Sequence, residues 1–370
     1  MKKAFIGMLE ILLFFLPLVA CVCFPKMFIL FTAAAVNRYC TVMVPTLFFF
    51  FCVTQMLSRL RLAGKAGRRL SRILTPVFGV SESLCGSFLL GLTAGFPNGA
   101  IACARVYQDG KCTEKEAAYA VALSNAPSAA FLCGYVGAGL WNSPKAGLVF
   151  LSVNAATVWI TSVFLRFLKL DGGKRTSVES SGVSEARIPA AICDSLAGAA
   201  TLTVKTGGFI VFFTVMGEIC ALFFQNAALG AGVCGFFELS NGLMRASVLP
   251  FPRGLLFGAV ILGFSGISVI LQVMSVCLES GIPVRPFIIS RLIGLVVAPA
   301  VMTAALWLLP FDLIPVSSPT VEVFAYGGSG YAGGVSTLYA AFSLLAACFP
   351  AALRKIVTSR RKQTKKVLEK

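Results

Sequence analysis

The chain has 370 residues, of which 57% are hydrophobic and only 13% are charged. Soluble domains carry about 25% charged residues, so a water-soluble fold of this length is excluded. The formal net charge of +17 therefore has to be explained within a membrane protein, and we predict an all-α polytopic one.

The residue types also exclude several activities. The absence of histidine removes His-based metal sites and Ser-His triads. The 13 cysteines are scattered singly, apart from Cys21 and Cys23, and give no disulfide framework. Neither a glycine loop followed by Lys-Ser or Lys-Thr nor a nucleophile elbow is present. We therefore expect neither an enzyme nor a nucleotide-driven pump, and no cofactor or metal.

Seven apolar stretches approach or exceed the length needed to cross a bilayer, which is about 20 residues for a helix. In chain order they are 4–23, 42–57, 117–140, 146–167, 204–225, 284–309 and 333–353. The first follows Lys2 and Lys3 and is interpreted as a retained helix, because no convincing cleavage site follows it. An eighth stretch, 229–249, either crosses or lies in the interface, so we predict seven to eight transmembrane helices.

Basic residues are concentrated in two short segments. Residues 59–72 contain six basic residues and no acid, and residues 354–370 contain eight against the single acid Glu369. Such segments beside membrane helices are typical of the cytoplasmic side and attract anionic lipid headgroups. The charge thus predicts orientation in the bilayer, with a cytoplasmic tail, rather than nucleic-acid binding. Eight crossings agree with that tail, whereas seven place it outside.

A polar stretch rich in glycine and serine separates two halves of similar length and is typical of a flexible linker. The predicted organisation is a leading helix with an interfacial segment, a first repeat, a cytoplasmic linker, a second repeat and a basic tail. These regions are 1–41, 42–168, 169–190, 191–353 and 354–370.

Each half contains an apolar segment interrupted by glycine. The first reads Gly95-Phe96-Pro97-Asn98-Gly99 and the second reads Gly263-Phe264-Ser265-Gly266. Such residues break helices, and broken backbone at membrane depth must be buried in protein or line a cavity. Interrupted helices in corresponding positions of two halves indicate a transporter binding site. A packing kink or an extramembrane turn is the alternative.

Polar residues also interrupt the apolar stretches. Ser124 and Asn125 precede Pro127, and they either repair the backbone locally or face the turn at Asn98. Glu238 and Asn241 lie within 229–249. A carboxylate at the centre of a transmembrane helix costs about 2.5–3.5 kcal/mol.

Glu238 is therefore a functional candidate, unless the stretch lies in the interface. Glu218 faces the same choice nearer the end of its span. Lys205 and Arg291 also lie near the ends of their spans, and we expect both to extend to the membrane interface.

Several of these segments together resemble the YlbJ family of sporulation integral membrane proteins. They are Val44-Pro45-Thr46-Leu47-Phe48, Thr93 to Ala100, Ser124 to Pro127, Glu238 to Gly242, and Gly263 to Gly266 with Gln272. The segment 95–109 also resembles the nucleoside-recognition Gate region, which is shared with ferrous iron transporter B and concentrative nucleoside transporters. The chain departs from the family pattern at Phe96 and Asn98, where a Gly-Tyr-Pro sequence followed by a small residue is usual, and at Ser124, where a doubled asparagine is usual.

The resemblance implies a role in endospore formation, in the outer forespore membrane, where the protein helps to move dipicolinic acid toward the forespore. Helix N-termini and uncharged donors suit such a small anionic solute. The candidate binding residues are Gly95, Pro97, Asn98, Gly99, Ser124, Asn125, Glu238, Asn241, Ser265, Gly266, Ser268 and Gln272. Other sporulation membrane proteins are possible partners, beside the lipid bilayer. The alternatives are a non-transporting scaffold for spore envelope assembly and a Gate-type nucleoside carrier.

Overall fold

The computed structural model describes residue 15 and residues 17–19, 21–59, 62–170 and 188–308. Within these ranges every regular element is a helix, so the all-α fold class is confirmed. The predicted span 333–353 and the tail 354–370 lie outside the described residues, as do most of 4–23 and most of the linker.

The chain divides into two compact units. One unit comprises Met1–Leu30 together with Phe324–Lys370, and the other comprises Phe31–Val323. The described part of the first unit is mostly helical and exposes large apolar side chains such as Leu18 and Val22. The helices described below lie in the second unit, except that the first of them begins at Pro25, in the first unit.

The described helices range from 9 to 34 residues in length. They are α1 (Pro25–Arg38), α2 (Val44–Arg59), α3 (Leu62–Phe78), α4 (Cys85–Ala94), α5 (Asn98–Gln108), α6 (Glu114–Ser124), a π-helical segment (Phe131–Leu140), α7 (Pro144–Phe167), α8 (Ile188–Ala221), α9 (Ala227–Phe237), α10 (Leu239–Ser247), α11 (Arg253–Phe264), α12 (Gly266–Ser280) and α13 (Arg285–Leu308). Shorter turns of π and 3-10 helix lie at Tyr39–Met43 and Glu82–Leu84.

Four stretches of the described chain are long and apolar enough to cross a membrane. They are Pro144–Phe167, Pro189–Ala221, Arg253–Ser280 and Arg285–Leu308. Two bent helix pairs bring the number to six if each pair is one span: Pro25–Met43 with Leu47–Leu57, bent by 53°, and Ala66–Phe78 with Glu82–Ala94, bent by 114°. The chain is thus a polytopic membrane protein.

Two predicted boundaries differ from the structure. The stretch 117–140 is not one continuous span, because α6 ends at Ser124 and the π-helical segment begins only at Phe131. The stretch 253–280, in which the sequence predicted the interruption at Gly263 to Gly266 but which was not among the seven listed spans, is a candidate span with a break at Ser265. The apolar residues on both sides of that break belong to one path through the protein.

Two pairs of short helices form hairpins. Helices α4 and α5 pack against each other across the turn at Gly95–Pro97. Helices α9 and α10 do the same across Glu238, where a Cβ added to Gly242 would lie 2.1 Å from Gly235 Cα. The stretch 229–249 is therefore a helical hairpin and not one continuous helix, and the choice between seven and eight crossings stays a prediction. We call these pairs the first and second hairpins.

The buried core draws on both predicted halves at once. One cluster combines Phe88 and Leu123 of the first half with Phe287 of the second. The other combines Trp141 of the first half with Leu243 of the second. Since each cluster contains side chains from both sides of the linker, the two halves interlock rather than stand as separate domains.

The contact between Gly235 and Gly242 provides a test of the second hairpin. We expect Gly242→Val to lower the yield of folded protein sharply, because overpacking a tight contact costs about 1–3 kcal/mol or more. The measurement is the monodisperse fraction in detergent size-exclusion chromatography. Gly232→Val, on helix α9 of the same hairpin, is the control, because the nearest atom to an added Cβ there is 4.0 Å away. Equal yields of the two variants would contradict the hairpin.

Candidate functional site

The tip of the first hairpin is an unwound turn between α4 and α5. Helix α4 ends at Gly95, whose φ of 74° favours glycine because a side chain is strained there. The Phe96–Pro97 peptide is cis, and α5 begins at Asn98. The Asn98 side chain is only 5% exposed, and its Nδ2 has no hydrogen-bond partner among the described residues. The predicted break is therefore present, and it leaves a buried donor unused.

The end of α6 packs directly on this hairpin. A Cβ added to Gly91 or Gly99 would lie 2.1 or 2.5 Å from the Ser124 carbonyl oxygen, so both helices of the hairpin approach Ser124 through glycine. The Asn125 side chain accepts a hydrogen bond from Ala100 N at 3.1 Å and donates one to Val121 O at 2.8 Å. Of the two roles expected for Ser124 and Asn125, contact with the Asn98 turn and local repair, both are observed.

The candidate span Arg253–Ser280 is broken at Ser265. Ser265 adopts the left-handed conformation, with φ of 73°. Ser265 Oγ donates to Leu262 O at 3.1 Å. Further along α12, Gln272 Nε2 donates to Ser268 Oγ at 3.2 Å. A Cβ added to Gly266 would lie 3.1 Å from Leu239 N. The break of this span therefore packs on the tip of the second hairpin, as Asn125 packs on the first.

Arg291 connects the break after α6, at Asn125, with the break at Ser265. This is contrary to our expectation that the side chain reaches the membrane interface. Its Nη1 donates to Asn125 O at 3.3 Å and to Ser265 Oγ at 3.1 Å. The side chain is only 7% exposed. The sequence places Arg291 near the beginning of α13, but the packing of that end against α6 and the break at Ser265 buries it. Lys205, in contrast, is exposed.

The tip of the second hairpin is closed by its own carboxylate. Glu238 accepts hydrogen bonds from Ser240 N at 3.0 Å, Asn241 N at 2.7 Å and the Ser240 hydroxyl at 2.6 Å. Glu238 is thus the N-cap of α10, where the helix dipole favours a negative charge. This observation explains how an apolar hairpin tolerates a buried carboxylate.

Asn241 belongs to a second polar network next to this cap. Its Nδ2 donates to Glu218 Oε1 at 2.8 Å, and its Oδ1 accepts from Arg38 Nη1 at 3.1 Å. Glu218 also forms an ion pair with Arg245. The Asn241 amide is therefore engaged on both sides, unlike the Asn98 amide at the first tip.

A cavity of about 240 Å³ lies beside the first hairpin, between α5, α8 and α12. Its buried walls include Pro97, Thr206 and Gln272, and its exposed rim includes Lys205 and Glu279. Thr206 Oγ1 and Gln272 Oε1 have no hydrogen-bond partner among the described residues. We call it the Gln272 cavity. It combines unused polar atoms at depth with charged groups near the entrance.

The twelve candidate residues fall into two groups in the structure. Hydrogen bonds and packing around Arg291 and the first hairpin bring together Gly95, Gly99, Ser124, Asn125 and Ser265, while Pro97 and Gln272 line the Gln272 cavity. Ser268 belongs to the group of the first hairpin because its hydroxyl accepts a hydrogen bond from Gln272. Asn98 belongs to it because it is the next residue after Pro97. Glu238 and Asn241 form the capped second tip, which Gly266 contacts.

Sequence reasoning assigned no site role to three cations around this region. Arg105 lines the Gln272 cavity and donates to Gln55 Oε1 at 3.2 Å, and Lys205 lines the same cavity. The sequence feature that could have identified Arg105 is its position on α5, the short helix that follows the break at Gly95. Arg291 carried the signal of a charge inside a strongly apolar helix, which is a functional hypothesis by default.

Broken spans, hairpins with buried tips and long apolar helices define a polytopic α-helical integral membrane protein. A family model described as Gate, nucleoside recognition, matches residues 40–141. This range includes the first hairpin and the break between Ser124 and Phe131.

Over 305 residues the chain is 25% identical to the sporulation integral membrane protein YlbJ of Bacillus subtilis strain 168, an alignment that covers 72% of this chain and 74% of that protein. No solved structure matches. The resemblance to the YlbJ family that the sequence motifs indicated is thereby confirmed.

The cap at Glu238 makes a testable statement about stability. We expect Glu238→Ala to lower the free energy of unfolding by about 1–2 kcal/mol, because it removes the N-cap of α10. Glu238→Gln retains one acceptor oxygen and should cost less. Thermal unfolding of the purified protein measures both. Glu279→Ala on the exposed surface of α12 is the control, and a Glu238→Ala variant as stable as this control would contradict the capping role.

Proposed function

We propose that this protein moves a small anionic solute across a membrane, and that the solute in sporulating cells is dipicolinic acid. The observation that carries the proposal is the Gln272 cavity, in which buried, unused polar atoms lie below two basic side chains. Unsatisfied buried polar atoms cost free energy, so their presence in a cavity favours a polar ligand that completes them.

The charge around the cavity favours an anion. Arg105 and Lys205 line it together with one acid, Glu279, so cations are in excess. A cleft lined by one sign of charge concentrates ligands of the opposite sign. The Thr206 hydroxyl can donate to a carboxylate oxygen, and the Gln272 amide oxygen can accept from a ring or hydroxyl donor or from water.

The size of the cavity favours a small molecule. Pockets for drug-sized ligands measure about 300–1,000 Å³, and the Gln272 cavity has about 240 Å³. A single aromatic ring with two carboxylates belongs to the lower end of this scale. This supports a compact solute rather than a peptide or a lipid tail.

The architecture supports transport rather than simple anchoring. Unwound backbone within a membrane protein is tolerated where it lines a cavity, and Pro97 at the first tip lines the Gln272 cavity. Interrupted helices at solute sites are typical of secondary transporters. A scaffold needs neither the cavity nor its unused polar atoms.

The relatives support the cellular setting of the proposal. The similar protein of Bacillus subtilis is described as a sporulation integral membrane protein, and the family resemblance implies dipicolinic acid movement in the outer forespore membrane. We extend that location and that solute to this chain. Its partners are then the solute, the lipid bilayer and other sporulation membrane proteins.

A nucleoside carrier is the second candidate. It is favoured by the match of residues 40–141 to a model described as nucleoside recognition. A neutral nucleoside makes no use of two cations, so the two candidates differ in how they depend on Lys205.

Lys205 provides the sharpest test of an anionic solute. We expect Lys205→Gln to reduce uptake of radiolabelled dipicolinate into proteoliposomes several-fold, because one of the two cations of the cavity is lost. Lys145→Gln, which changes an exposed lysine at the start of α7, is the matched control and should keep wild-type uptake. Membrane abundance is measured beside uptake and should be equal in both variants.

Three results decide between the proposed functions. Uptake that is unchanged in Lys205→Gln contradicts a role for this cation. Uptake that unlabelled nucleosides block, but dipicolinate does not, favours the nucleoside carrier. A strain in which an inactive but abundant variant supports spores of normal dipicolinate content favours the scaffold.

Asn98 tests the first tip without disturbing the fold. Its Nδ2 has no partner to lose within the described residues, so Asn98→Ala should leave stability nearly unchanged. Loss of one hydrogen bond to the solute, about 0.5–1.5 kcal/mol, should raise the KM for dipicolinate about 2- to 12-fold at similar maximal flux. Asn125→Ala is the contrasting variant and should lower the thermal midpoint, because that amide makes hydrogen bonds to Ala100, Val121 and Ser124.

Alanine substitutions at the glycines of this tip are less informative. An added Cβ at Gly99 would lie 2.5 Å from the Ser124 carbonyl oxygen, and Gly95 has a positive φ. Such variants perturb the packing of α6 on the hairpin as well as any binding. A KM for Asn98→Ala equal to that of the wild-type protein would remove this side chain from the solute site.

A further inference from the structure

Arg291 borders a second, much smaller cavity between α6, α7, α11 and α13. This space of about 20 Å³ is bordered by polar groups of Asn154, Thr157, Thr161 and Ser290 and by apolar side chains including Phe150. A cavity of this size accommodates roughly one water-sized species. We call it the Arg291 cavity. None of its lining residues is among those of the Gln272 cavity.

Within the described residues, the acceptors that bind the guanidinium of Arg291 are all neutral. Nε donates to Ser290 Oγ at 3.3 Å, Nη1 to Asn125 O and Ser265 Oγ at 3.3 and 3.1 Å, and Nη2 to Ala122 O at 3.4 Å. Most of these distances exceed the usual range for N–H···O bonds. A guanidinium has five N–H donors, so these four bonds leave one N–H of Nη2 without a partner in the described residues.

The positive charge of Arg291 also has no acidic partner in the part of the chain that the structure describes. The ion pairs observed within the described residues join Lys111 to Asp109 and Arg245 to Glu218, and neither includes Arg291. The carbonyls at the end of α6 and the Phe287 ring, 5.3 Å from the guanidinium carbon, provide partial compensation. Buried charges in proteins are otherwise paired, and in a membrane helix an unpaired one is costly.

Asn154 is a second possible donor at the same small space. Asn154 lines the Arg291 cavity, and its Nδ2 makes one hydrogen bond, to Pro127 O at 3.4 Å. Because a side-chain amide carries two N–H donors, one remains for a ligand. The cavity therefore combines a full positive charge with two unused donors in the described chain, and it has room for a single small species.

We propose that the Arg291 cavity binds a monovalent inorganic anion of the size of chloride. A water molecule fits the space but does not neutralise the guanidinium, and a ring dicarboxylate exceeds about 20 Å³. The anion completes the unused donors of Arg291 and Asn154 and balances the charge that joins the two broken spans. This site is separate from the Gln272 cavity, and it does not depend on which solute the protein moves.

The test uses the full chain purified in detergent, with chloride replacing gluconate at constant ionic strength. Equilibrium dialysis with radioactive chloride should give about one bound ion for each chain, and the thermal midpoint should rise with chloride and then saturate. Arg291→Gln should abolish both responses. Arg166→Gln, which changes an arginine that binds the Pro76 and Val77 carbonyls, is the control and should keep both.

A second variant covers the case in which Arg291→Gln does not fold. Asn154→Leu removes one donor at a half-buried position and should weaken chloride binding several-fold while the protein remains folded. The proposal is overturned if the wild-type protein binds no chloride, or if Arg291→Gln or Asn154→Leu binds it as the wild type does. It is also overturned if dipicolinate, but not chloride, raises the midpoint through Arg291.

Discussion

A peptide group that leaves a helix inside a bilayer must find its partner within the protein, because no water is available to it. This constraint governs the arrangement around the breaks of this chain. The amide of Ala100 is bound by Asn125, the amides that begin α10 are bound by Glu238, and the Asn125 carbonyl is bound by Arg291. Each break is stabilised by a residue near a break, so the broken segments depend on one another.

The two hairpins have the same plan but opposite electrostatics. In the second hairpin the N-terminus of α10 is occupied by the carboxylate of Glu238. In the first hairpin a neutral amide, that of Asn125, occupies the corresponding place at α5. Glu238 and Asn241, which the sequence suggested as binding residues, stabilise the second tip through these hydrogen bonds, and their part in binding a solute stays a prediction.

The sequence indicated breaks where glycine and proline stand, and those at Gly95–Pro97 and Ser265 are present. It did not indicate that the chain folds back at Glu238, because no glycine or proline stands at that position. The backbone of Glu238 is extended, a conformation that any residue type adopts. It also misplaced Arg291. The sequence pattern of a cation six residues after the start of an apolar helix is the same whether the side chain reaches the interface or is buried. The packing of α6 and α11 on that helix determines that Arg291 is buried. The Gln272 and Arg291 cavities depend on tertiary packing in the same way.

The interlocking of the two halves has a consequence for how the protein is made. Asn125 and Arg291 are 166 residues apart, and ribosomes add about 5–20 residues per second. The first hairpin and the end of α6 therefore wait roughly 10–30 s in the membrane before their partner is synthesised. During that interval the Asn125 carbonyl and the broken end of α6 lack their stabilising cation. Insertion factors or membrane chaperones that shelter half-finished polytopic chains are thus expected to matter more for this protein than for one whose helices pack in sequence order.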